Sequence, residues 1–494
     1  IDRIGIHSLS YATQDEAFIF SSSSLGVTSH PLINSGINAQ GVFNYFYFYD
    51  IPSPGTIHSG VEKLLPAQYV QFKNGVMEKG FYWNLKYNDS NQLSFHEERD
   101  KLDHFLQESI ESVSSDGPTA TFLSGGIDSS TITGLLARIS PETVNAYTMG
   151  FGAEGFDEME YARLAARHFR ANINEYYIQP DDILEAIPII VRSYDEPFGN
   201  ESAVPAYFCA KNAAADGFKV MLGGDGGDEI FGGNERYAKQ MVFEHYTKVP
   251  SSIRKSLIEP LVFGFPGRNS ITPLRKLKSY ITQANTPLPK RLEAYNFILR
   301  QSLDTIFHED LLAAVDPTLP EALLNDTYFR ADSNHPIHRM LHLDMKFTLA
   351  DNDLRKVSRM CEAAGVEVRY PLLNEKLVEY SGQLPTNFKV RQHKLRWFFK
   401  QAMKNFLPDE IIKKRKHGFG LPFGVWALTH PGLNHFMNET LDRFQDRRYL
   451  QVDYIQTIRR LHANEHPTYY GKMIWLMLIL EQWLEAHSDT IETR

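Results

Sequence analysis

Between residues 118 and 223, short apolar runs alternate with longer amphipathic ones, and this alternation restricts the fold more than any other feature of the chain. The periods predict strands at 118–123, 144–151, 173–178 and 218–223, and helices at 128–138, 157–169, 181–193 and 202–215. Strands that alternate with helices pair in parallel, with helices covering both faces of the sheet. Just upstream, "ERDKLDHFLQESIESV" sets Leu102, Phe105, Leu106, Ile110 and Val113 at helical spacing. Beyond about residue 235 the apolar spacing is mostly helical, as in "KLRWFFKQAMKNFL". Residues 1 to about 85 read as β-rich: "EAFIFSSS", "GVFNYFYFYD", "AQYVQFKNG" and "GFYWNLKY" cluster aromatics between turn residues. The polar run "YNDSNQLS" makes a linker. The predicted architecture is therefore α/β. A partial β-rich domain at 1–90 precedes a body at 91–494, divided into an α/β core at about 98–235 and a helical part at about 236–494.

Charge and cysteine content narrow the function. A formal charge of −9 offers no field for nucleic acid, so none is expected as partner. Cys209 and Cys361 match no zinc spacing and no disulfide framework, which fits a reducing, cytoplasmic setting. The apolar run "WLMLILEQWLEA" is too short to span a bilayer and reads as a buried helix, so no membrane is expected either. The first residue is Ile1 rather than Met, which suggests a processed, trimmed or incompletely represented chain.

The segment "TFLSGGIDSSTITGLLAR" joins the first predicted strand to the first predicted helix of the alternating region. It places Ser124, Gly125, Gly126 and Asp128 at a strand's C-terminal end, where open parallel sheets bind ligands. Glycines let backbone N–H groups approach an anion, and the helix's positive end adds attraction. Ser124, Ser129 and Ser130 add hydroxyl donors. Asp128 suits this setting if a divalent cation lies between it and phosphates, whereas a glycine turn with a helix-capping aspartate accounts for the stretch without any ligand. The loop carries no lysine and is not the phosphate loop G-x-x-x-x-G-K-[ST].

A second loop, "KVMLGGDGGDEIFGG", repeats the arrangement with Asp225, Asp228 and Glu229 after another strand. The third glycine of a dinucleotide fingerprint is missing, and so is the alternating acid spacing of a calcium loop. A structural turn is the alternative, but three acids in a glycine loop suit a metal-bound polyphosphate better, with Asp128 and Asp228 sharing one or two Mg²⁺ ions.

These loops, together with "DLRKVSRM", "GVEVRYPLLN" and "KKRKHGFGLPFGVW", resemble the glutamine-dependent (class B) asparagine synthetase family over most of residues 100–430. The first loop matches S-G-G-x-D-S, the pyrophosphatase-type loop of enzymes that cleave ATP between its α and β phosphates. The resemblance implies a pyrophosphatase-loop ATP-binding fold, with ATP and Mg²⁺ as cosubstrate and cofactor. It further implies adenylation of a small-molecule carboxylate, release of pyrophosphate, and transfer to ammonia or another amine donor. It carries ATP binding onto Leu123, Ser124, Gly125, Gly126, Asp128, Ser129 and Ser130, and places Met149 near the adenine, with Gly223 and Gly224 below the nucleotide. Lys416 falls on the family's late lysine; composition alone would make "KKRK" a solvated charge run. Lys416 would stabilise the departing pyrophosphate, and Asp225 would accept the amine's proton. Glu367 and Arg369 would border the substrate carboxylate, although they equally read as a structural ion pair, and the same holds for Lys394.

The N-terminal part resembles the later strands of the family's glutaminase domain, with Ser23 in place of a glutamate and Ala67 in place of a glycine. An N-terminal glutaminase segment is therefore missing, separately encoded or decayed into a scaffold, and a homodimer is compatible with the reading. Ser358, Asn374, Cys361, Glu362 and Asn174 depart from the family's usual residues near the substrate side. Carboxylates other than aspartate (of a peptide, a sugar acid or a ring-closing substrate) consequently remain open. A tRNA-modifying enzyme and a catalytically silent relative are the rival classes.

Overall fold

The computed structural model describes residues 1–89, 93–114, 117–152, 158–264, 272–414 and 420–488. At the N-terminus, β1 (Ser10–Gln14) pairs antiparallel with β2 (Ala17–Ser21) and with β3 (Glu62–Lys63). The strands β4 (Gln68–Lys73) and β5 (Val76–Phe81) form a separate hairpin. Asn74 and Gly75 close that hairpin, both at positive φ, as a two-residue turn between twisted strands requires. Two helices lie between β2 and β3: α1 (Ser24–Thr28) and α2 (Ala39–Phe48). The second corrects the sequence reading, which took "GVFNYFYFYD" as part of a β-rich stretch. The Asn38 side chain caps α2 by accepting from the Gln40 N–H, and residues 41–47 are buried on every face. Burial all round removes the polar stripe that would have betrayed a helical period.

The body opens with α3 (Phe95–Val113), which buries Leu102, Leu106 and Ile110. Next come β6 (Thr119–Phe122), α4 (Ile127–Ile139), β7 (Asn145–Phe151), α5 (Met159–Phe169), β8 (Asn172–Ile178), α6 (Pro180–Ser193), α7 (Ala203–Ala215) and β9 (Val220–Leu222). Each lies within two residues of its predicted bounds. The strands form one parallel sheet in the order β10-β9-β6-β7-β8, and β7 is buried on both faces from Ala146 to Phe151, as helix-covered parallel strands are. The fifth strand, β10 (Glu367–Arg369), comes from far downstream and pairs with β9. Its three residues lie inside the part read as helical, too short to show a period of two.

The chain runs from β6 outward to β8, then returns to place β9 on the other side of β6. The order reverses there, and such a switch point opens a crevice at the strands' C-terminal ends. A short helix α8 (Gly227–Phe231) and a longer α9 (Glu235–Thr247) continue from β9. The remainder is helical and includes a wide π-type turn over Asp344–Asp353 and the buried helix Pro467–Ala486. Among the described residues no helix is long and apolar enough to cross a membrane. One continuous apolar core takes in Val42 and Phe46 of α2, Leu222 of β9 and Trp475 of the last helix.

Candidate active site

The crevice at the switch point is a cavity of about 710 Å³ that receives both glycine loops. In the first, Gly125 has φ +68°, and a Cβ there would lie 2.5 Å from the Ala162 nitrogen, so only glycine fits. Gly126 then caps α4, whose first turn carries Asp128. The Ser129 hydroxyl lies 3.0 Å from that of Ser124 and accepts from the Ser124 N–H at 3.2 Å, bracing the loop. The second loop presses against the first backbone to backbone. A Cβ on Gly224 would come within 2.8 Å of the Ser129 nitrogen, and one on Gly227 within 2.1 Å of Asp128 Oδ1. Two strand ends that nearly touch leave no room for side chains, which is the physical reason for "LGGDGG".

Leu123, Ser124, Gly126, Asp128, Ser129, Met149, Gly224, Asp225 and Asp228 all line this cavity. Gly125 and Gly223 shape the two turns without lining it, and Ser130 is fully buried in the first turn of α4. Lys416 lies outside the described residues. Glu367 and Arg369 form the ion pair that was the equal alternative to a place beside the substrate. They stand two apart on the edge strand β10, hence on one face of it, and Arg369 Nε contacts Glu367 Oε1 at 2.6 Å while Nη1 donates to the Val113 carbonyl at 2.9 Å. Neither lines the cavity, and Lys394 does not line it either.

The structure adds a cation that the sequence did not single out. Arg396 donates to both oxygens of Asp128, at 2.6 and 2.8 Å, and also to Asp228. Its side chain is 5% exposed, and a Cβ on Gly233 would collide with both Arg396 and Asp228. Burial works against the guanidinium charge, but Asp128 and Asp228 outweigh it and raise its pKa. Arg396 was hidden because "HKLRWFFK" reads as the start of an apolar helix. The only local signal was a cation in a left-handed conformation, invisible before folding.

A second pair lies deeper. Burial pushes the Asp225 carboxyl up to about 6, against the opposing pull of Lys356. Against the opposing effect of desolvation, the half-buried Lys356 is held above an ordinary lysine by Asp353, 2.9 Å away, and by Asp225. At the mouth, Lys414 Nζ contacts Glu158 at 2.9 Å and the Gly125 carbonyl at 3.4 Å. Lys400 lines the same wall, its pKa lowered by burial and by Arg396. Positive charge thus reaches the lysine-free first loop from downstream segments.

The donor set suits a hard divalent cation. Asp128 and Asp228 both turn oxygens toward the Arg396 guanidinium, where a divalent cation would compete with it, and glycine at 227 and 233 makes room for those oxygens. Among the described residues no group of three or more His, Cys, Asp or Glu side chains gathers to cage a metal. Two carboxylates alone match an ion that takes its remaining ligands from water and phosphate.

Comparison with known proteins bears on this arrangement. Residues 101–485 match the family model described as asparagine synthase, and residues 1–83 match that of a glutamine amidotransferase domain. An asparagine synthetase (glutamine-hydrolyzing) 1 of Bacillus subtilis strain 168 is 27% identical over 501 residues, covering 100% of this chain and 75% of the relative. A putative asparagine synthetase of Mycobacterium bovis is 25% identical, covering 90% of this chain and 67% of its own. A putative asparagine synthetase of Methanocaldococcus jannaschii is 34% identical over 51% of this chain and 50% of its own.

Proposed function

Because the chain belongs to the asparagine synthase family, an ATP-dependent ligase family, we propose that this cavity adenylates a small-molecule carboxylate and passes the acyl group to ammonia or another amine. One observation carries the reading. Two glycine-and-acid loops on neighbouring strand ends share a single cavity, and their aspartates are bridged by the Arg396 guanidinium.

The β6 and β9 loops would hold the triphosphate by backbone N–H groups, with Met149 against the adenine. Asp128 and Asp228 would hold Mg²⁺, which supplies charge stabilisation to the phosphates. A substrate carboxylate oxygen attacks the α phosphorus, and the bond from that phosphorus to the bridging oxygen breaks. Pyrophosphate departs with the electron pair. Arg396, Lys414 and Lys416 would share the stabilisation of the charge that builds on it. The amine then attacks the acyl carbon and the C–O bond to AMP breaks. Asp225 would take the proton the amine gives up; its carboxyl, pushed up to about 6, is a fitting acceptor near neutral pH. Residues 91–494 would form this synthetase body, with residues 1–90 a glutaminase-like domain, in the cytoplasm. Aspartate is the first candidate substrate; the residues that depart from the family at Ser358 and Asn374 favour testing other carboxylates beside it.

A carboxylate screen with ATP and an ammonium salt tests the proposal. Substrate-dependent AMP and pyrophosphate are expected, and substrate-dependent ADP would overturn it. Asp128→Asn should abolish nucleotide turnover while circular dichroism shows an intact fold; near-normal turnover would reject Asp128 as a metal ligand.

A further inference from the structure

A second cavity, of about 610 Å³, opens in the helical part between the far end of α9 and the segments 254–259, 284–291, 328–329 and 336–339. It shares no residue with the active cavity. Its described lining carries four cations, Arg254, Lys255, Arg291 and Arg339, against two carboxylates, Glu244 and Glu259. That excess of positive charge stands out in a chain whose formal charge is −9.

The two carboxylates are already engaged in the frame. Glu244 takes the buried Arg291 at 2.9 Å, and Arg291 also donates to the Thr286 carbonyl at 2.7 Å. Glu259 accepts from the Asn285 amide at 3.0 Å and from the Tyr246 hydroxyl at 3.3 Å. The other cations are differently placed. Arg254 is fixed by the Val249 carbonyl at 3.0 Å and lies over the Tyr246 ring. Arg339 is fixed by the Ser333 carbonyl at 2.8 Å and lies over Tyr328 and Phe329. Both are oriented by neutral groups, and among the described residues neither makes an ion pair. Lys255 is exposed at the rim. With Arg291 matched by Glu244, Arg254, Lys255 and Arg339 remain against Glu259 alone, and this excess of oriented positive charge favours an anion. Leu288 and Tyr328 supply an apolar floor between the charges.

We propose that this cavity binds a small molecule carrying two or more acidic groups on a compact body, and that the ligand acts on the active cavity. Two elements run between the sites. The N-terminal end of α9 presents Asn234 and Glu235 to the active cavity, while its C-terminal end presents Glu244 and Thr247 to this one. At 13 residues the helix is roughly 20 Å long. The helix Pro336–Leu343, which bears Arg339, runs directly into the π-type turn whose Asp344, Thr348 and Asp353 line the active cavity. Arg236 and Tyr237 of α9 both bond to Asp344, tying the two elements together.

The test is calorimetric titration of the whole protein with citrate as a polycarboxylate and fructose 1,6-bisphosphate as a bisphosphate, with acetate as a monoanion control. Omitting magnesium keeps chelation out of the signal. One-to-one binding by either polyanion, with acetate silent, is expected, and whichever probe binds more tightly identifies the acid class. Lys255→Gln and Arg339→Gln should each weaken it about tenfold, the effect of losing a charge-assisted contact. Lys255 is exposed, so its variant keeps the test valid should Arg339→Gln unfold. Binding should survive Asp128→Asn, which alters only the active cavity. The bound polyanion should also shift the affinity for ATP, measured in a separate titration. No saturable binding of either probe up to about 10 mM, tenfold above a millimolar Kd, or binding lost in Asp128→Asn but kept in Lys255→Gln, overturns the site. Binding with unchanged ATP affinity overturns its action on the active cavity. Because the readout is binding rather than turnover, failure here leaves the proposed ligase chemistry untouched.

Discussion

Arg396 decides how the two acidic loops coexist, since its guanidinium separates carboxylates that would otherwise repel across the cavity. Arg396→Met leaves them facing one another partly buried, and removing one partner of such a cluster costs about 3 kcal/mol. A lower melting temperature is expected, and magnesium chloride should restore more stability to the variant than to the parent protein. Equal magnesium effects on both would show that the carboxylates do not compete for the guanidinium and the ion. Asp225 sets a different dependence. Burial raises its carboxyl to about 6, so the proton-accepting carboxylate is lost as pH falls through that value. The acidic limb of kcat/KM should therefore centre near pH 6 and disappear in Asp225→Asn, whose residual rate should be nearly flat there. An acidic limb that persists unchanged in the variant would assign it to another group.

At the scale of elements, the glycines of the β9 loop hold the site together because they are small rather than because they are flexible. A Cβ at 227 meets Asp128 Oδ1 at 2.1 Å, so Gly227→Ala must push the first loop away from the second. ATP affinity measured by titration should fall at least about tenfold. The stability loss should be modest, of order 1 kcal/mol, because the clash can be relieved at the cavity wall. Unaltered ATP affinity would mean that the two loops do not act together. This close approach also marks how far the sequence could be read. Strand–helix alternation placed β6 to β9 because a periodic pattern is a local property, and the loops were legible because glycine next to acid is rare outside turns. Arg396 and β10 escaped because their partners lie far away along the chain: Arg396 meets Asp128 across 268 positions, and β10 is three residues long. The helix α2 escaped for the opposite reason, since full burial erased its period. The pair Glu367 and Arg369 was visible as a charge pattern, but only the folded chain shows it on the edge strand and outside the cavity lining.

Over the whole molecule, buried charge ties the N-terminal segment to the body. Lys63 meets Glu196 at 2.7 Å, Arg355 bridges Glu196 and Asp195, and the Ser24 N–H donates to Asp195 at 2.7 Å. The seam continues at Tyr87 and Asp89, and there it contains a lysine for which, among the described residues, no carboxylate forms an ion pair. Lys389 is 1% exposed, its ammonium lies over the Tyr87 ring at 5.1 Å, and that ring stacks on His338, which is held by Asp89 at 2.7 Å. Burial pulls the Lys389 pKa down to about 7, with Asp89 too weak to offset it. Between that value and the ordinary 10.5, the unfolded chain binds a proton that the folded protein does not. Stability from this group therefore rises as pH increases from about 7 to 10.5, and below 7 its full cost is present. Lys389→Met removes a buried charge and keeps the length of the side chain, so it should stabilise the protein by ~1–3 kcal/mol at neutral pH. The gain should shrink as pH rises to 10.5 and vanish above it, where the lysine is neutral in both the folded and the unfolded chain. Guanidinium unfolding across that interval checks the slope. A gain that stays constant with pH would mean better packing by methionine, not relief of a buried ammonium. A loss at every pH would mean that Lys389 has a charged partner the fold depends on.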